Sequence, residues 1–459
     1  MSSNYSLRLA DKNTCLPSVI DLFSGCGGLS FGFRSAGFAI EAGIDLSASA
    51  VQTASYNLSW CFGEESKHVC GDITNIDAEV FRHAPNKNGY IVIGGPPCQA
   101  YSLIGKGKLR SLGDDRSDLN DVRGYLYKDF LRIALELDAK AVVMENVPEA
   151  INYGDKNIPE EVCQILENNG YYAKWTILNA ADYGVPQTRE RLFVIAIKKI
   201  EGIEPEFPEP THQSVDGSTG IYQQRIQRLI SYPHFTVPPN SNGNLKPWVT
   251  VGEALSDLPV LFPTSKSRYR YYDQTVMKKY ASPPLNDYQR IMREWGGKST
   301  DYVTGHGFRN TPRDFPIFER MRFDDNYVAA LKIAEELLEH ESLRRGITFS
   351  EQPEQYLNLK KKIVPPYDPE KFQDKWKKLN PNKPSHTLVA HLGVDTYSHI
   401  HPWEPRGISV REAARLQSFP DSFLFQCNMG DAFRQIGNAV PPLLSRAIAE
   451  KMAEIFGCR

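Results

Sequence analysis

Residues 91–102 read IVIGGPPCQAYS: an apolar β-branched run, two glycines, two prolines, and then Cys98. A packing cysteine needs no such setting, because free Cys usually behaves as a small buried hydrophobe. A thiolate nucleophile does need one, since it must be aimed and its backbone held still. Downstream, the run AKAVVMENV carries Glu145 at its end. A cysteine and a glutamate at adjacent strand ends suit a nucleophile with a proton carrier beside it, although a lone glutamate there is also an ordinary loop cap. QTRERLFVIAI then supplies Arg189 and Arg191, two residues apart and so on one face of a strand. Guanidinium groups near a cleft could hold phosphate or a carbonyl oxygen; charge at the start of a strand is also commonly just solvated.

Three features upstream speak of a second ligand. DLFSGCGGLS, Asp21 to Ser30, places glycines between a strand and a helix, where they allow a tight turn and close approach of the backbone to a ligand. Asp45 closes the second apolar run, a place that suits the two hydroxyls of a ribose. Asp72 closes the third, where it could accept a hydrogen bond from an adenine amino group with Ile73 beside the ring. Each aspartate alone is as easily a helix cap. Together they fit one adenosine-bearing cofactor. This turn lacks the Gly-Lys-Ser/Thr of a phosphate loop and its glycines read GxGG rather than GxGxxG, which favours a nucleoside without phosphate, such as S-adenosylmethionine, over NAD or ATP.

These residues need a frame. SVIDLF, FAIEAGID, HVCGD, YIVIGG, AKAVVMENV and RLFVIAIK read as buried strands, with helical patterns between most of them, including PEEVCQILENNG. Such alternation predicts an α/β fold, a mostly parallel sheet with helices on both faces and ligands beyond the carboxyl ends of its strands. From about residue 201 the rhythm fails into Pro-, Gly- and Asn-rich stretches with isolated helices such as NYVAALKIAEELLEHESLRR. SVREAARLQSF and PPLLSRAIAEKMAEIF then read as two closing helices. A chain of 459 residues is long for one domain. With 41% hydrophobic and 24% charged residues its composition is that of a soluble globular protein, and no apolar run reaches the roughly 18 residues of a membrane helix. Eight cysteines without a CxxC pair argue against zinc and a disulfide framework and for reduced thiols in a cytoplasmic setting. A net charge of -2 announces no global nucleic-acid field, yet a local basic stripe suffices.

DLFSGCGGLSFGF, GGPPCQAYS, ENV, QTRERLFVIAI, REAARLQSFP and RQIGNAVPP, in this order, make the chain resemble the prokaryotic DNA (cytosine-5) methyltransferases. The resemblance implies a Rossmann-like catalytic domain, residues 1–200 with 396–459, and a smaller irregular target-recognition domain, residues 201–395. It implies S-adenosylmethionine as cofactor, S-adenosylhomocysteine as product, and no metal. Carried over by motif, Cys98 resembles the nucleophile that attacks C6 of cytosine and Glu145 the residue that contacts N3 and the exocyclic amine. Arg191 and Arg189 resemble the pair that steadies the base and the catalytic loop. Phe23, Ser24, Gly28 and Leu29 resemble the cofactor loop, Asp45 and Leu46 the ribose site, and Asp72 and Ile73 the adenine site. Gly95, Leu126, Asn438 and Val440 match further cofactor positions, and Gln99 and Ser102 fall in a mobile loop that closes on DNA. Asp45 stands where Glu is frequent in the family, which shortens the reach but keeps the charge.

The implied partner is double-stranded DNA, met by a monomer associated with the nucleoid, in a restriction or phage-defence setting or as an orphan enzyme. A tRNA-modifying relative and a catalytically inactive DNA-binding regulator are the competing readings; the long central region speaks against the first, and intact Cys98, Glu145 and Arg191 against the second. Within the central region SKSRYRYYDQTVMKKY interleaves Arg268, Arg270, Lys278 and Lys279 with Tyr269, Tyr271, Tyr272 and Tyr280. Lysines there are expected on phosphates, arginines on guanine, and aromatics against an opened duplex. DKWKKLNPNKPSHT is expected to track the backbone as a second basic patch.

Overall fold

The computed structural model describes residues 15–63, 65, 68–82, 88–97, 125–153, 156–215, 220–241, 243–262, 269–270, 275–297, 299, 301–370 and 375–457. The first part of the chain runs β1 (Ser18–Leu22), α1 (Gly28–Ser35), β2 (Ile40–Asp45), α2 (Ala48–Phe62), β3 (His68–Cys70), β4 (Tyr90–Gly94), α3 (Leu126–Glu136), β5 (Ala141–Asn146), α4 (Ile158–Asn168), β6 (Tyr171–Asn179) and β7 (Glu190–Lys198). These strands form one seven-stranded sheet in the order β3-β2-β1-β4-β5-β7-β6. The β3, β2, β1, β4 and β5 neighbours are parallel, and β7 runs antiparallel to both β5 and β6.

Successive residues of a strand point to opposite faces, and both faces are covered here. Ile20, Leu22, Val92, Val142 and Met144 pack with Tyr127 and Phe130 of α3 and Val162 of α4. Val19, Ile91, Ile93, Val143 and Phe193 pack on the other side with Leu29 and Phe33 of α1. That requirement explains the unbroken apolar strands read from the sequence. One strand escaped that reading. β6 is one of the two edge strands, where Tyr172 and Lys174 face outward and the ammonium of Lys174 lies 2.6 Å from Glu204, so polar residues interrupt its run. Cys15 is disulfide-bonded, a departure from the expectation that the thiols are reduced.

The central region adds β8 (His212–Gln213), α5 (Gly220–Leu229), β9 (Lys246–Pro247), α6 (Val251–Leu255), β10 (Tyr269–Arg270), β11 (Lys278–Lys279), α7 (Asp287–Glu294), β12 (Tyr302–Val303), β13 (Arg309–Asn310), α8 (Phe315–Arg320), α9 (Tyr327–Arg345) and α10 (Pro353–Ile363). The chain closes with α11 (Val410–Leu416), α12 (Met429–Asn438) and α13 (Pro442–Phe456). Residues 315–400 hold their own core around Phe318, Tyr327, Trp376 and Ile400. Val251, Leu255, Met292 and Trp295 instead share a core with Ala413, Phe423 and Phe433 of the closing segment and with Phe31 of α1. The interval 201–395 therefore contains three kinds of packing: a core of its own, a core continuous with the end of the chain, and Ile226 and Leu229 of α5 packed into the core of the main sheet.

α13 lies back on α1. A Cβ on Gly32 would collide with the Ser445 hydroxyl, and one on Gly28 would stand 2.6 Å from the Val440 carbonyl oxygen. Only glycines let the two ends of the chain approach so closely, and this approach brings Val440 to the first strand.

Candidate active site

A cavity of about 670 Å³ opens beyond the carboxyl ends of β1, β2, β4 and β5, where a parallel sheet places its ligands. Its first wall is the turn from β1 to α1. Phe23, Gly25 and Gly27 all take left-handed φ values, 60°, 54° and 85°. Glycine adopts this conformation freely; Phe23 does so at a cost, the kind of strain that collects at functional sites. The turn is tied to the next strand by Asp45, whose two carboxylate oxygens accept from the N–H of Gly25 at 2.9 Å and of Ser47 at 2.8 Å. Burial raises the Asp45 carboxyl, and those two bonds pull it back. Asp72 accepts from Thr74 through both its N–H and its hydroxyl.

Every residue expected at the cofactor lines this one cavity: Phe23, Ser24, Gly28, Leu29, Asp45, Leu46, Asp72, Ile73, Gly95, Leu126, Asn438 and Val440. Leu46 is largely exposed and Ile73 buried. The strand ends thus converge, and the closing segment supplies the last two residues.

Glu145, Arg189 and Arg191 line the same cavity. β5 pairs Glu145 with Phe193 of β7, so Arg191, two residues earlier on β7, lies diagonally across on the same face. Its Nε stands 3.0 Å from Glu145 Oε1. Burial pushes the Glu145 carboxyl up, while Arg191 and then Arg189 draw it down, leaving it raised. A Cβ on Gly95 would come within 2.8 Å of Glu145 Oε2, so the glycine keeps room beside the carboxylate. Arg189 is placed differently from Arg191: fully buried, it donates to the carbonyls of Leu388, Gly437 and Ala439.

Cys98, Gln99, Ser102 and Arg268 lie outside the described residues. The backbone that leads to Cys98 is described as far as Pro97. Asn146 holds it, donating from Nδ2 to the Pro96 carbonyl at 3.3 Å while its Oδ1 accepts from the Val147 N–H at 2.8 Å. Among the described cysteines, Cys26 also lines the cavity, but burial pushes its thiol far above the ordinary range. The Cys427 thiol is pushed up to about 12, again by burial. Neither is a thiolate nucleophile at neutral pH.

Several cavity residues were missed from sequence. Asn146 was overlooked as the neighbour of Glu145 in ENV, and Asp21 as the first residue of DLFSGCGG. Asp431, Arg434 and Gln435 line the wall from α12, a helix that lies between the two closing helices read from the sequence and was not itself expected.

Two expectations for the central region need correction. Tyr280 is not free to stack on nucleic acid: its hydroxyl donates to Asp421 at 2.5 Å and its ring lies 3.6 Å from the Arg293 guanidinium carbon, inside the core shared with the closing segment. The stretch from Lys375 to Lys383 is not an open basic patch. Lys378 is buried on the Phe318 carbonyl, Trp376 fills the core of residues 315–400, Lys375 faces Asp395 at 3.8 Å, and Lys383 faces Asp324 at 3.1 Å. The backbone of Arg270 pairs with Arg309 in an antiparallel ribbon. Lys278 and Lys279 stand in a second ribbon opposite Val303 and Tyr302, Lys279 exposed and Lys278 half-buried.

The family model for C-5 cytosine-specific DNA methylase matches residues 18–454. The chain is 55% identical over 461 residues to a protein of Oceanobacillus iheyensis carrying the name type II methyltransferase M.OihORF3336P, covering 98% of each chain. It is 32% identical over 463 residues to type II methyltransferase M.AgeI of Thalassovita gelatinovora, covering 94% of this chain and 98% of that one. Its fold is similar to a crystal structure of a prophage-encoded DNA modification methyltransferase from E. coli, with TM-score 0.61 and 22% identity over 96% of this chain and 99% of that one. Among the described residues no helix is long and apolar enough to cross a membrane.

Proposed function

Since the chain belongs to the C-5 cytosine-specific DNA methylase family and is a DNA (cytosine-5-)-methyltransferase, we propose that it methylates C5 of a flipped-out cytosine in a specific double-stranded DNA sequence, with S-adenosylmethionine as donor and Cys98 as nucleophile. One observation carries the reading: a single cavity joins the glycine turn, Asp45 and Asp72 to the Glu145–Arg191 pair and to the strand end that leads into Cys98.

The cavity suits this cofactor. Among the described residues, Ser24 Oγ and Gln435 Oε1 are buried in its wall without a hydrogen-bond partner, which asks for a ligand that offers donors. Asp45 and Asp72 would take the ribose hydroxyls and the adenine amine, and their carboxylates favour a cationic ligand. S-adenosylmethionine, when bound, supplies an electrophilic methyl group on a sulfonium.

Cytosine C5 is too weak a nucleophile to take that methyl directly. Addition of the Cys98 thiolate at C6 would form an S–C bond and move the ring electrons to C5, readying it to take the methyl as the sulfonium S–CH3 bond breaks and its electron pair stays on the sulfur of S-adenosylhomocysteine. A base removes the C5 proton, the C5–C6 double bond returns, and the thiolate leaves. Glu145 holds the proton at N3 or accepts from the exocyclic amine, and Arg191 keeps that carboxylate aimed. Asn146 steadies the backbone before Cys98. The ring is unreachable within a duplex and must be rotated out by about 180°. Residues 201–395 are assigned to target recognition, and the names of the relatives support a restriction-modification setting with a partner endonuclease.

A duplex containing 5-fluorocytosine, incubated with the protein and tritiated S-adenosylmethionine, tests this. The wild type should form a covalent complex through Cys98, and Cys98→Ser should neither trap nor transfer label. Trapping at another cysteine, or by the serine variant, overturns the assignment.

A further inference from the structure

α12 supplies Asp431, Arg434 and Gln435 to the cavity wall, and the chain then turns through Asn438 and Val440, which line it too. The last carbonyls of a helix have no partner within it. Arg189 serves this end: its Nη2 donates to Gly437 O at 3.0 Å and Ala439 O at 3.2 Å. Gln417 Nε2 also reaches Ala439 O, at 2.6 Å. A cation at this end complements the helix dipole as well. The other arm of the fork, Nη1, donates to Leu388 O at 2.7 Å.

Leu388 belongs to the segment returning from the central region, and that segment is laced to the residues just before β7. Thr188 N–H donates to Ser385 O at 2.8 Å, the Thr387 hydroxyl to Thr188 O at 2.9 Å, and Leu388 N–H to Gln187 Oε1 at 2.8 Å. Arg189 itself is 1% exposed, and its backbone N–H donates to Asn179 Oδ1. One guanidinium therefore ties the returning segment to the end of the helix that walls the cavity.

We propose that Arg189 is a positioning residue, a clamp on three carbonyls that holds the C-terminal wall of the cofactor cavity to the segment returning from the central region, and that it does not touch the target base. The proposal rests on the cofactor reading of the cavity. Arg191, which ends at Glu145, keeps the role at the base, so the two arginines of QTRER divide the work.

Arg189→Lys keeps the charge felt by Glu145, but an ammonium is a point donor and cannot span these carbonyls. In steady-state methylation of duplex DNA, the variant should show a KM for S-adenosylmethionine raised about 10-fold or more. The methylated motif and the pH profile of kcat at saturating cofactor should stay those of the wild type. Arg191→Lys should show the reverse, a lower kcat with the cofactor KM unchanged. Gln417→Met, which removes the second donor to Ala439, should raise the cofactor KM a few-fold, and decides the matter if Arg189→Lys does not fold. An unchanged cofactor KM in Arg189→Lys, or a shifted pH profile of kcat in its place, overturns the clamp. So does an unchanged KM in Gln417→Met where the lysine variant is unfolded. Calorimetric titration of the wild type with S-adenosylmethionine separates the two readings: no binding overturns the cofactor reading and the clamp together, whereas equal binding by wild type and variants overturns the clamp alone.

Discussion

The Nε of Arg191 stands 3.0 Å from Oε1 of Glu145, with the two side chains 13% and 12% exposed. Removing one partner of such a pair leaves the other charge stranded in a poorly solvated place. Glu145→Gln keeps the volume and loses the charge. It should lower kcat about 10²-fold or more, the range of a proton-handling residue, with cofactor affinity unchanged. Single-turnover methylation and calorimetry read the two effects. A variant that loses cofactor and keeps its chemical step would move Glu145 out of the base site.

Asn146 is the described side chain that hydrogen-bonds the Pro96 backbone. Asn146→Ala gives up a buried hydrogen bond, which costs about 1–3 kcal/mol. The loss should fall on the chemical step, because the released backbone carries Cys98. The rate of trapping on a 5-fluorocytosine duplex should drop about 10-fold or more, while binding of S-adenosylmethionine stays the same. Equal trapping rates would deny Asn146 this role.

Asp45 and Asp72 should differ in weight. Asp45 accepts from two backbone N–H groups that shape the glycine turn, whereas among the described residues the Asp72 carboxylate bonds its own local turn at Thr74. Asp45→Ala therefore removes both a ligand and the order of the loop. Its loss of S-adenosylmethionine affinity should be about 10²-fold, against about 10-fold for Asp72→Ala. Titration calorimetry ranks them, and the reverse order would show that the turn does not depend on Asp45.

Asp21 carries a pH signature. Burial pushes its carboxyl from 3.8 up to about 7, with the Ser30 hydroxyl opposing in part. Between those values the folded chain holds a proton that the unfolded chain releases. This contribution to stability is fully present below about pH 4 and is lost as the pH rises through about 7, to an extent on the order of 4 kcal/mol. Asp21→Asn, which cannot ionise, should flatten that decline. Urea unfolding of both proteins across pH 4–8 is the measurement, and parallel curves would refute it.

On the central region, Lys278→Ala with Lys279→Ala should weaken binding to all duplexes about equally and flatten its salt dependence. Changing Arg268 or Arg270 should relax preference at one base pair, at roughly 1–3 kcal/mol. Methylome sequencing of cells expressing each variant decides; an unchanged motif in both arginine variants would show that this stretch does not read bases.

The sequence by itself determined what depends on near neighbours. Apolar runs of strand length, closed by glycine or aspartate, specify a buried parallel sheet and the turns at its ends. That is why Phe23, Asp45, Asp72 and Glu145, read from five separate motifs with Gly95, meet in one cavity. Only the tertiary structure decided what depends on distant partners. Tyr280 sits in a basic aromatic stretch yet is buried against Asp421, 141 residues away. Lys378 looks like a phosphate contact and ends on the carbonyl of Phe318. Arg189 and Arg191 are equivalent in QTRER, but the first reaches carbonyls up to 250 residues downstream and the second reaches Glu145. Periodicity and turn chemistry are properties of a short window of chain. The partner of a charged side chain is chosen by whichever segment folding brings beside it, and no window of the sequence contains both.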